Sequence, residues 1–228
     1  MSYTDRLIIK KSKQARNYTL RLNHKERCIY LVMPHRSSEK RALHFADRHR
    51  HWIEEKLSTL PHAIPFEHSE IIPLFDVPTL IHITYDQRRK TTHINHLDRK
   101  LDVLTNQESP SSRIERYLKK FAKEHLTTLT HEKAAELGKK VNKVSIRDTS
   151  SRWGSCSSDG NISLSWRLIF APIEAIDYVI SHEVAHLKHM DHSRNFWEVC
   201  ESLCEDYTFG KQWIRDEGYS LMRYGANV

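Results

Sequence analysis

The sequence of 228 residues carries a net charge of +7, with 39% hydrophobic and 29% charged residues, which excludes a disordered chain and is typical of a globular protein. It contains no apolar run near the roughly 18 residues of a membrane-spanning helix, and the apolar stretch at residues 7–9 is too short for a secretory signal. Since it has four cysteines and no Cys-x-x-Cys pair, we expect a cytoplasmic protein with reduced thiols and no membrane contact.

Three short strands are predicted at the start of the chain, at residues 6–10, 18–23 and 28–33. In the second of them, Tyr18, Leu20 and Leu22 alternate with polar residues, which is typical of a half-buried strand. Ser38 is then placed to cap a helix that extends to Leu60.

The basic excess lies in this first part of the chain. Residues 1–60 hold 14 Lys and Arg and 6 Asp and Glu, whereas the other 168 residues hold 22 and 23. Such a segment either contacts nucleic acid or another polyanion, or is a solvated protein face. Because no aromatic-interleaved pattern accompanies it, we favour the solvated face and keep nucleic acid as an alternative partner.

A proline-containing connector follows at residues 61–78, with one short strand in it, and further strands are predicted at residues 80–85, 93–97 and 101–104. The pattern then changes, because residues 113–137 have helical periodicity and Gly138 ends it. We therefore expect a β-rich, basic N-terminal subdomain at residues 1–108 and a catalytic subdomain at residues 109–228, which can pack as one domain.

The C-terminal part begins with a strand predicted at residues 141–146. Asp159-Gly160 is a strong hairpin signal, and it precedes the alternating Ile162, Leu164 and Trp166. Pro172 marks the start of the next helix, whose apolar positions continue to residue 184.

A metal-binding motif lies on this last helix, where residues 182–186 read His-Glu-Val-Ala-His. Side chains four residues apart lie one helical turn apart, so His182 and His186 can hold one ion. Glu183 lies about 100° around the helix axis from His182. Its carboxylate can therefore reach a water at the ion and act as a general base.

A catalytic zinc needs a third protein ligand, and His189 and His192 are the candidates. His189 would extend a row of imidazoles along one helix, which surrounds a tetrahedral ion poorly. We therefore favour His192, reached by a turn after His186, with Asp191 or Ser193 capping the helix that follows. Asp191 is also a candidate, with Asn195, for orienting a ligand imidazole.

Several motifs of the chain together resemble those of the YgjP-like metallopeptidase family, which is also described as predicted metal-dependent hydrolases. They are Ser151-Arg152-Trp153-Gly154-Ser155-Cys156, Gly160-Asn161-Ile162-Ser163-Leu164, Pro172, His182-Glu183-Val184-Ala185-His186-Leu187 and His192-Ser193 with Phe196-Trp197. The resemblance implies an α+β fold with a zincin-like catalytic core, in which a mixed or antiparallel sheet packs on helices behind the β-rich N-terminal part. It also implies zinc on His182, His186 and His192, Glu183 as the acid and base, and kinship with the SprT-like and WLM peptidases.

A second zincin group, the metzincins, has the same histidine spacing. Residues 220–225 are similar to the methionine turn of that group, which would put Met222 beneath the metal. Metzincins, however, have a glycine where this chain has His189, and that glycine lets the backbone turn sharply. We therefore keep this group as the minor alternative.

Arg152 and Trp153 are further candidates for substrate binding. An edge strand near the metal helix can receive an extended substrate by strand addition. Arg152 would bind a carboxylate, a phosphate or a developing oxyanion. The alternative is that Trp153 is a core residue and Arg152 pairs with an acidic side chain.

Three functions remain open on the sequence. Peptide-bond hydrolysis with a peptide or protein substrate leads. The resemblance also carries a description as a nucleoside-triphosphate pyrophosphatase acting on UTP, which keeps the metal and changes the substrate. A non-catalytic zinc module that binds nucleic acid is the third, although a structural site has no use for Glu183 and is usually closed by four ligands.

Overall fold

The structure is a computed structural model that describes residues 3–226, and the chain divides into two compact units, Met1–His62 and Ala63–Val228. The boundary expected at residue 108 lies inside the second unit. The predicted α+β fold class is confirmed, with helices and mixed sheets in both units.

The first unit is a three-stranded sheet with two helices. After a 3-10 turn at Tyr3–Arg6, its elements are β1 (Leu7–Ser12), β2 (Thr19–Asn23), β3 (Cys28–Pro34), α1 (Glu39–Arg48) and α2 (Arg50–Ser58). β3 lies in the centre, parallel to β1 and antiparallel to β2. The core of this unit is formed by Ile29, Leu31, Met33, Ala42, Ala46 and Ile53.

The single helix predicted from Ser38 to Leu60 is wrong, because it is interrupted at His49. The His49 backbone leaves the helical region with φ −108° and ψ 18°. Its Nδ1 lies 2.8 Å from the carbonyl oxygen of Phe45, and the centroids of the two rings lie 4.4 Å apart with the ring planes tilted. Ser38 stands at the N-cap position of α1, but its side chain makes no capping hydrogen bond.

The second unit contains seven strands and four helices among the described residues. The strands are β4 (Ile71–Leu74), β5 (Val77–Tyr85), β6 (His93–Leu97), β7 (Lys100–Thr105), β8 (Lys143–Arg147), β9 (Gly154–Cys156) and β10 (Asn161–Ser165). The helices are α3 (Ser111–Glu136), α4 (Ile173–Ala185), α5 (Arg194–Leu203) and α6 (Tyr207–Glu217), with 3-10 helices at Trp166–Phe170 and Gly218–Arg223.

Strands β4 to β7 form one sheet in the order β4-β5-β7-β6, with β5 and β7 parallel. Its buried side chains, such as Ile81 and Leu101, belong to the same core as the buried stripe of α3. That stripe repeats every four residues at Ile114, Leu118, Ala122, Leu126, Thr130 and Ala134. Because the strands before residue 108 and the helix after it bury their side chains together, they form one unit.

The second sheet has the order β8-β10-β9, and it packs on α4. The predicted hairpin is present between β9 and β10, and Gly160 takes the left-handed backbone of its turn with φ +74°. α4 in turn contacts α3, α5 and α6. The strand predicted to include Trp166 ends at Ser165, where a 3-10 helix begins.

Within residues 3–226, the structure contains no helix that is both long enough and apolar enough to span a bilayer.

Candidate metal centre

Helix α4 carries the first two histidines of the motif and the glutamate between them. Pro172 stands at its N-cap, and apolar residues fix most of its circumference in the core. The rings of His182 and His186 lie 5.1 Å apart, since they are separated by one helical turn. The two imidazoles are only partly buried, whereas Glu183 is 6% exposed.

The chain leaves the helix at His186 and turns before α5, as the sequence predicts. Asp191 Oδ1 accepts a hydrogen bond from the Ser193 backbone N–H at 3.3 Å, and Ser193 is the N-cap residue of α5. The turn brings the His192 ring to 5.2 Å from the His182 ring and 4.8 Å from the His186 ring.

The three imidazoles present their nitrogens to one point. Ligand atoms of His182, His186 and His192 all lie within 4.8 Å of one another, and His182 Nε2 is 3.2 Å from His192 Nε2. Two nitrogens bound to one tetrahedral zinc at 2.0–2.1 Å would be separated by about 3.4 Å. The three imidazoles are therefore close enough together to hold one metal ion.

The protonation of these rings also suits a metal. Burial lowers the pKa of His182 to about 4, with a further contribution from His186 and His192, so its ring is neutral near pH 7. Burial likewise lowers the pKa of His186. His186 Nδ1 lies 3.0 Å from the His189 carbonyl oxygen, which can only accept, so Nδ1 donates and Nε2 keeps its lone pair.

His189 therefore contributes its backbone to the site. Its carbonyl orients the imidazole of His186, and its side chain is outside the group of three histidines whose donor atoms converge. The sequence contained no signal for this contact, because any residue at position 189 has a carbonyl group. Asp191 bonds to the turn as a cap, and Asn195 is exposed.

Phe196 forms an apolar floor under the histidines. Its ring centroid lies 5.0 Å from that of His182, 4.5 Å from that of His186 and 4.8 Å from that of His192. The side chain is fully buried, and Trp197 beside it contacts two of the same rings. Phe196 belongs to the motifs that carry the family resemblance, but its position under all three imidazoles appears only in the structure.

The backbone of β9 crosses directly over Glu183 at Gly154. A Cβ atom at this position would lie 2.4 Å from Glu183 Oε1 and 2.5 Å from its Cγ, which is closer than real Cβ atoms approach. Burial raises the pKa of Glu183 to about 8, and the positive charge of Arg152 opposes that rise. Glu183 is thus buried between α4 and β9, in a space that the side chain of any residue other than glycine at position 154 would fill.

The outer edge of β9 presents free backbone groups beside this glutamate. The Ser165 N–H donates to the Trp153 carbonyl at 2.8 Å, so the backbone groups of Trp153 and Ser155 face β10. The N–H and C=O groups of Gly154 and Cys156 face the other way. No backbone partner for that edge is found within the part of the chain that the structure describes.

Trp153 separates two cavities of about 170 Å³ each. The first opens beside the motif and is lined by Trp153, Gly154, Tyr178, Val179, His182, Glu183 and Ile214. The second contains the exposed Arg152, for which no salt bridge is found among residues 3–226. Trp153 is half-buried against the core, so it is a packing residue that also lines the site.

Comparison with known proteins gave a family match and a similar solved structure. The family model described as YgjP-like, metallopeptidase domain, matches residues 16–217. The crystal structure of the metallopeptidase zymogen of Pyrococcus abyssi abylysin is similar at 23% identity over 41% of this chain and 95% of that chain, with a TM-score of 0.36. No curated protein matched.

The family match covers β2 and β3 of the first unit as well as the elements that carry the three histidines. It does not extend to Met222, and the metzincin alternative is not the family that matches. The chain belongs to the YgjP-like metallopeptidase domain family.

Proposed function

We propose that this protein is a zinc-dependent peptidase in which His182, His186 and His192 hold the ion and Glu183 is the general base. The observation that supports it most is the convergence of three imidazoles beside the buried carboxyl group of Glu183. A structural zinc site has no need for that carboxyl group, and it usually has four protein ligands.

The ion would supply Lewis acidity, which polarises a scissile carbonyl and brings the pKa of a water towards 7. The protein prepares for it with imidazoles that need not lose a proton first, since the pKa values of His182 and His186 are lowered. The His189 carbonyl and the Phe196 ring hold these imidazoles in place.

Glu183 would move the proton. Its carboxylate accepts a proton from the attacking water and then donates that proton to the leaving amine. Burial under Gly154 favours this proton transfer. It raises the pKa of Glu183 to about 8, so the carboxyl group can hold a proton near neutral pH.

The substrate would lie along β9 in an extended conformation. The free N–H and C=O groups of Gly154 and Cys156 would pair with its backbone, as in strand addition. One of its side chains would enter the cavity lined by Trp153 and Ile214, and Arg152 would meet a carboxylate or a developing oxyanion.

The test is the substitution Glu183→Gln, with Glu198→Gln as a matched control on the exposed face of α5. We expect the first variant to keep bound zinc but to lose at least about 100-fold in turnover of a casein-derived peptide, as loss of a general base implies. The control should turn over like the wild type. Wild-type turnover in the Glu183→Gln variant would contradict the assignment.

The same assay separates peptidase from pyrophosphatase activity. Wild-type protein is offered the peptide and UTP, each with and without a chelator. Peptide cleavage that the chelator abolishes supports the proposal, whereas chelator-sensitive release of pyrophosphate without peptide cleavage would replace it.

A further inference from the structure

Basic side chains are clustered on one surface of the second unit, although the unit as a whole is almost neutral. Residues 61–228 hold 22 basic and 23 acidic side chains. Six of the basic ones nevertheless line two adjacent cavities, one of about 170 Å³ and one of about 700 Å³. We name these six the cation track, which consists of Lys119, Lys120, Lys123, Lys143, Arg147 and Arg152.

The cation track is continuous and begins at the proposed cleavage site. Arg152 shares the smaller cavity with Gly154 of β9 and with Arg147 at the end of β8. Arg147 also lines the larger cavity, where Lys143 at the start of β8 faces the lysines of α3. The positive surface therefore runs from the edge of β9 across the sheet to α3.

Most of this charge is not neutralised by the protein. Asp148 is the acidic residue lining these cavities, and it already lies 3.1 Å from Nε of the buried Arg167 and 3.7 Å from Lys119 Nζ. Lys120 lies 3.7 Å from a glutamate one turn away on α3. The other four members of the cation track have no salt-bridge partner within residues 3–226: Lys123, Lys143, Arg147 and Arg152.

The surroundings favour a polypeptide over nucleic acid as the partner of this charge. The backbone groups that would bind a substrate strand are at β9, where the cation track starts, and the outer edge of β8 has no strand partner among the described residues. Single-stranded nucleic acid is usually bound on exposed aromatic rings. Trp166 in the larger cavity is 0% exposed and offers no such platform, and Trp153 in the smaller cavity is half-buried against the core.

We propose that the cation track holds an acidic segment of the polypeptide substrate while the bond beside β9 is cleaved. The enzyme would therefore prefer extended polypeptides in which several Asp or Glu residues flank the cleaved bond. This proposal rests on the proposed peptidase function, because it names the class of substrate for the same site.

The experiment compares peptides that share one cleavable core and carry a flank of four Glu, four Gln or four Lys residues, on either side of the core. We expect the Glu peptide to have a kcat/KM at least about 10-fold above that of the Gln peptide at low salt, with the Lys peptide below both. Raising the salt to about 0.5 M should remove most of this difference.

Two variants of equal charge change locate the effect. Lys123→Gln/Lys143→Gln/Arg147→Gln removes charge from the cation track, and Arg88→Gln/Lys90→Gln/Lys139→Gln removes it elsewhere on the second unit. The first should lose the preference for Glu but cleave the Gln peptide at the wild-type rate. The second should keep the preference.

The outcomes distinguish failure of the substrate preference proposed here from failure of the proposed peptidase function. If the wild type cleaves none of the peptides, the peptidase function fails. If it cleaves the Glu and Gln peptides equally, or if the first variant keeps the preference, the cation track has no role in substrate choice. Stronger inhibition by a single-stranded oligonucleotide than by polyglutamate of equal charge would assign the track to nucleic acid and overturn the proposal.

Discussion

At the residue scale, the site depends on Gly154, which has no reactive group, as much as on the proposed general base Glu183. The carboxyl group of Glu183 can occupy its position only because Gly154, which packs against it, has no side chain. The motif of the helix could be predicted from residue spacing. The requirement at Gly154 could not, because it arises from the approach of a strand and a helix that lie about 30 residues apart in sequence.

We predict that Gly154→Ala displaces Glu183 and lowers turnover of a peptide by at least about 100-fold, because a shift near 1 Å in a catalytic group costs this much. Zinc content should stay at one ion per chain, since the atoms that a Cβ here would meet most closely all belong to Glu183 and not to a histidine. Ser155→Ala is the control, because the neighbouring side chain lies on the other face of β9. A Gly154→Ala variant as active as the control would show that Glu183 does not need its present position.

At the element scale, α5 has two functions. Its start delivers His192 through the turn capped by Asp191, and its first apolar residue, Phe196, packs under all three histidines. The helix is therefore both a support for the fold and the floor of the candidate metal centre.

We predict that Phe196→Leu weakens zinc binding by about 10-fold or more, as loss of residues that orient metal ligands does. Phe66→Leu is the control, because this phenylalanine is also fully buried but contacts Trp166 and Phe170. Both variants should lose thermal stability through the cavity they create. Equal zinc affinity in the two variants, measured by competition with a chelating dye, would contradict the floor role.

Most elements could be predicted from periodicity, but α6 was missed. Its sequence contains Gly210, which disfavours helices. In the structure this glycine lies against α4, where a Cβ atom would be 2.4 Å from the Glu174 carbonyl oxygen. The helix begins after Asp206, whose side chain accepts a hydrogen bond from the Phe209 N–H. Tertiary packing thus explains both the glycine and the difficulty of the prediction.

At the scale of the whole molecule, the two units have separate cores, and every residue of the candidate site lies in the second. The basic excess of residues 1–60 lies in the first. Contact between this basic segment and nucleic acid stays a prediction. The segment is distinct from the cation track, which belongs to the second unit.

The stability of the metal-free molecule should depend on pH through Glu183. In the folded protein the pKa of this group is about 8, above its ordinary value near 4.5, so its contribution is present at low pH and lost as the pH rises through 8. Glu183→Gln should therefore match the wild type near pH 4 and exceed it near pH 9 by a few kcal/mol, on the order of the pKa shift.

Chemical denaturation in the presence of a chelator measures this difference. The lowered pKa of His182 destabilises both proteins as the pH falls below about 6.5, so it cancels in the comparison. If the free energies of unfolding of the two proteins differ by a constant amount from about pH 4 to about pH 9, burial does not raise the pKa of Glu183.

Zinc affinity in His192→Ala and His189→Ala tests most directly whether the three converging imidazoles hold a catalytic metal. His192→Ala removes a donor nitrogen that lies 3.2 Å from His182 Nε2, whereas His189→Ala keeps the backbone carbonyl that orients His186. We predict that the first variant loses at least about 100-fold in zinc affinity together with peptide turnover, and that the second stays near the wild type in both. Unchanged zinc affinity in His192→Ala, or the larger loss in His189→Ala, would contradict the account.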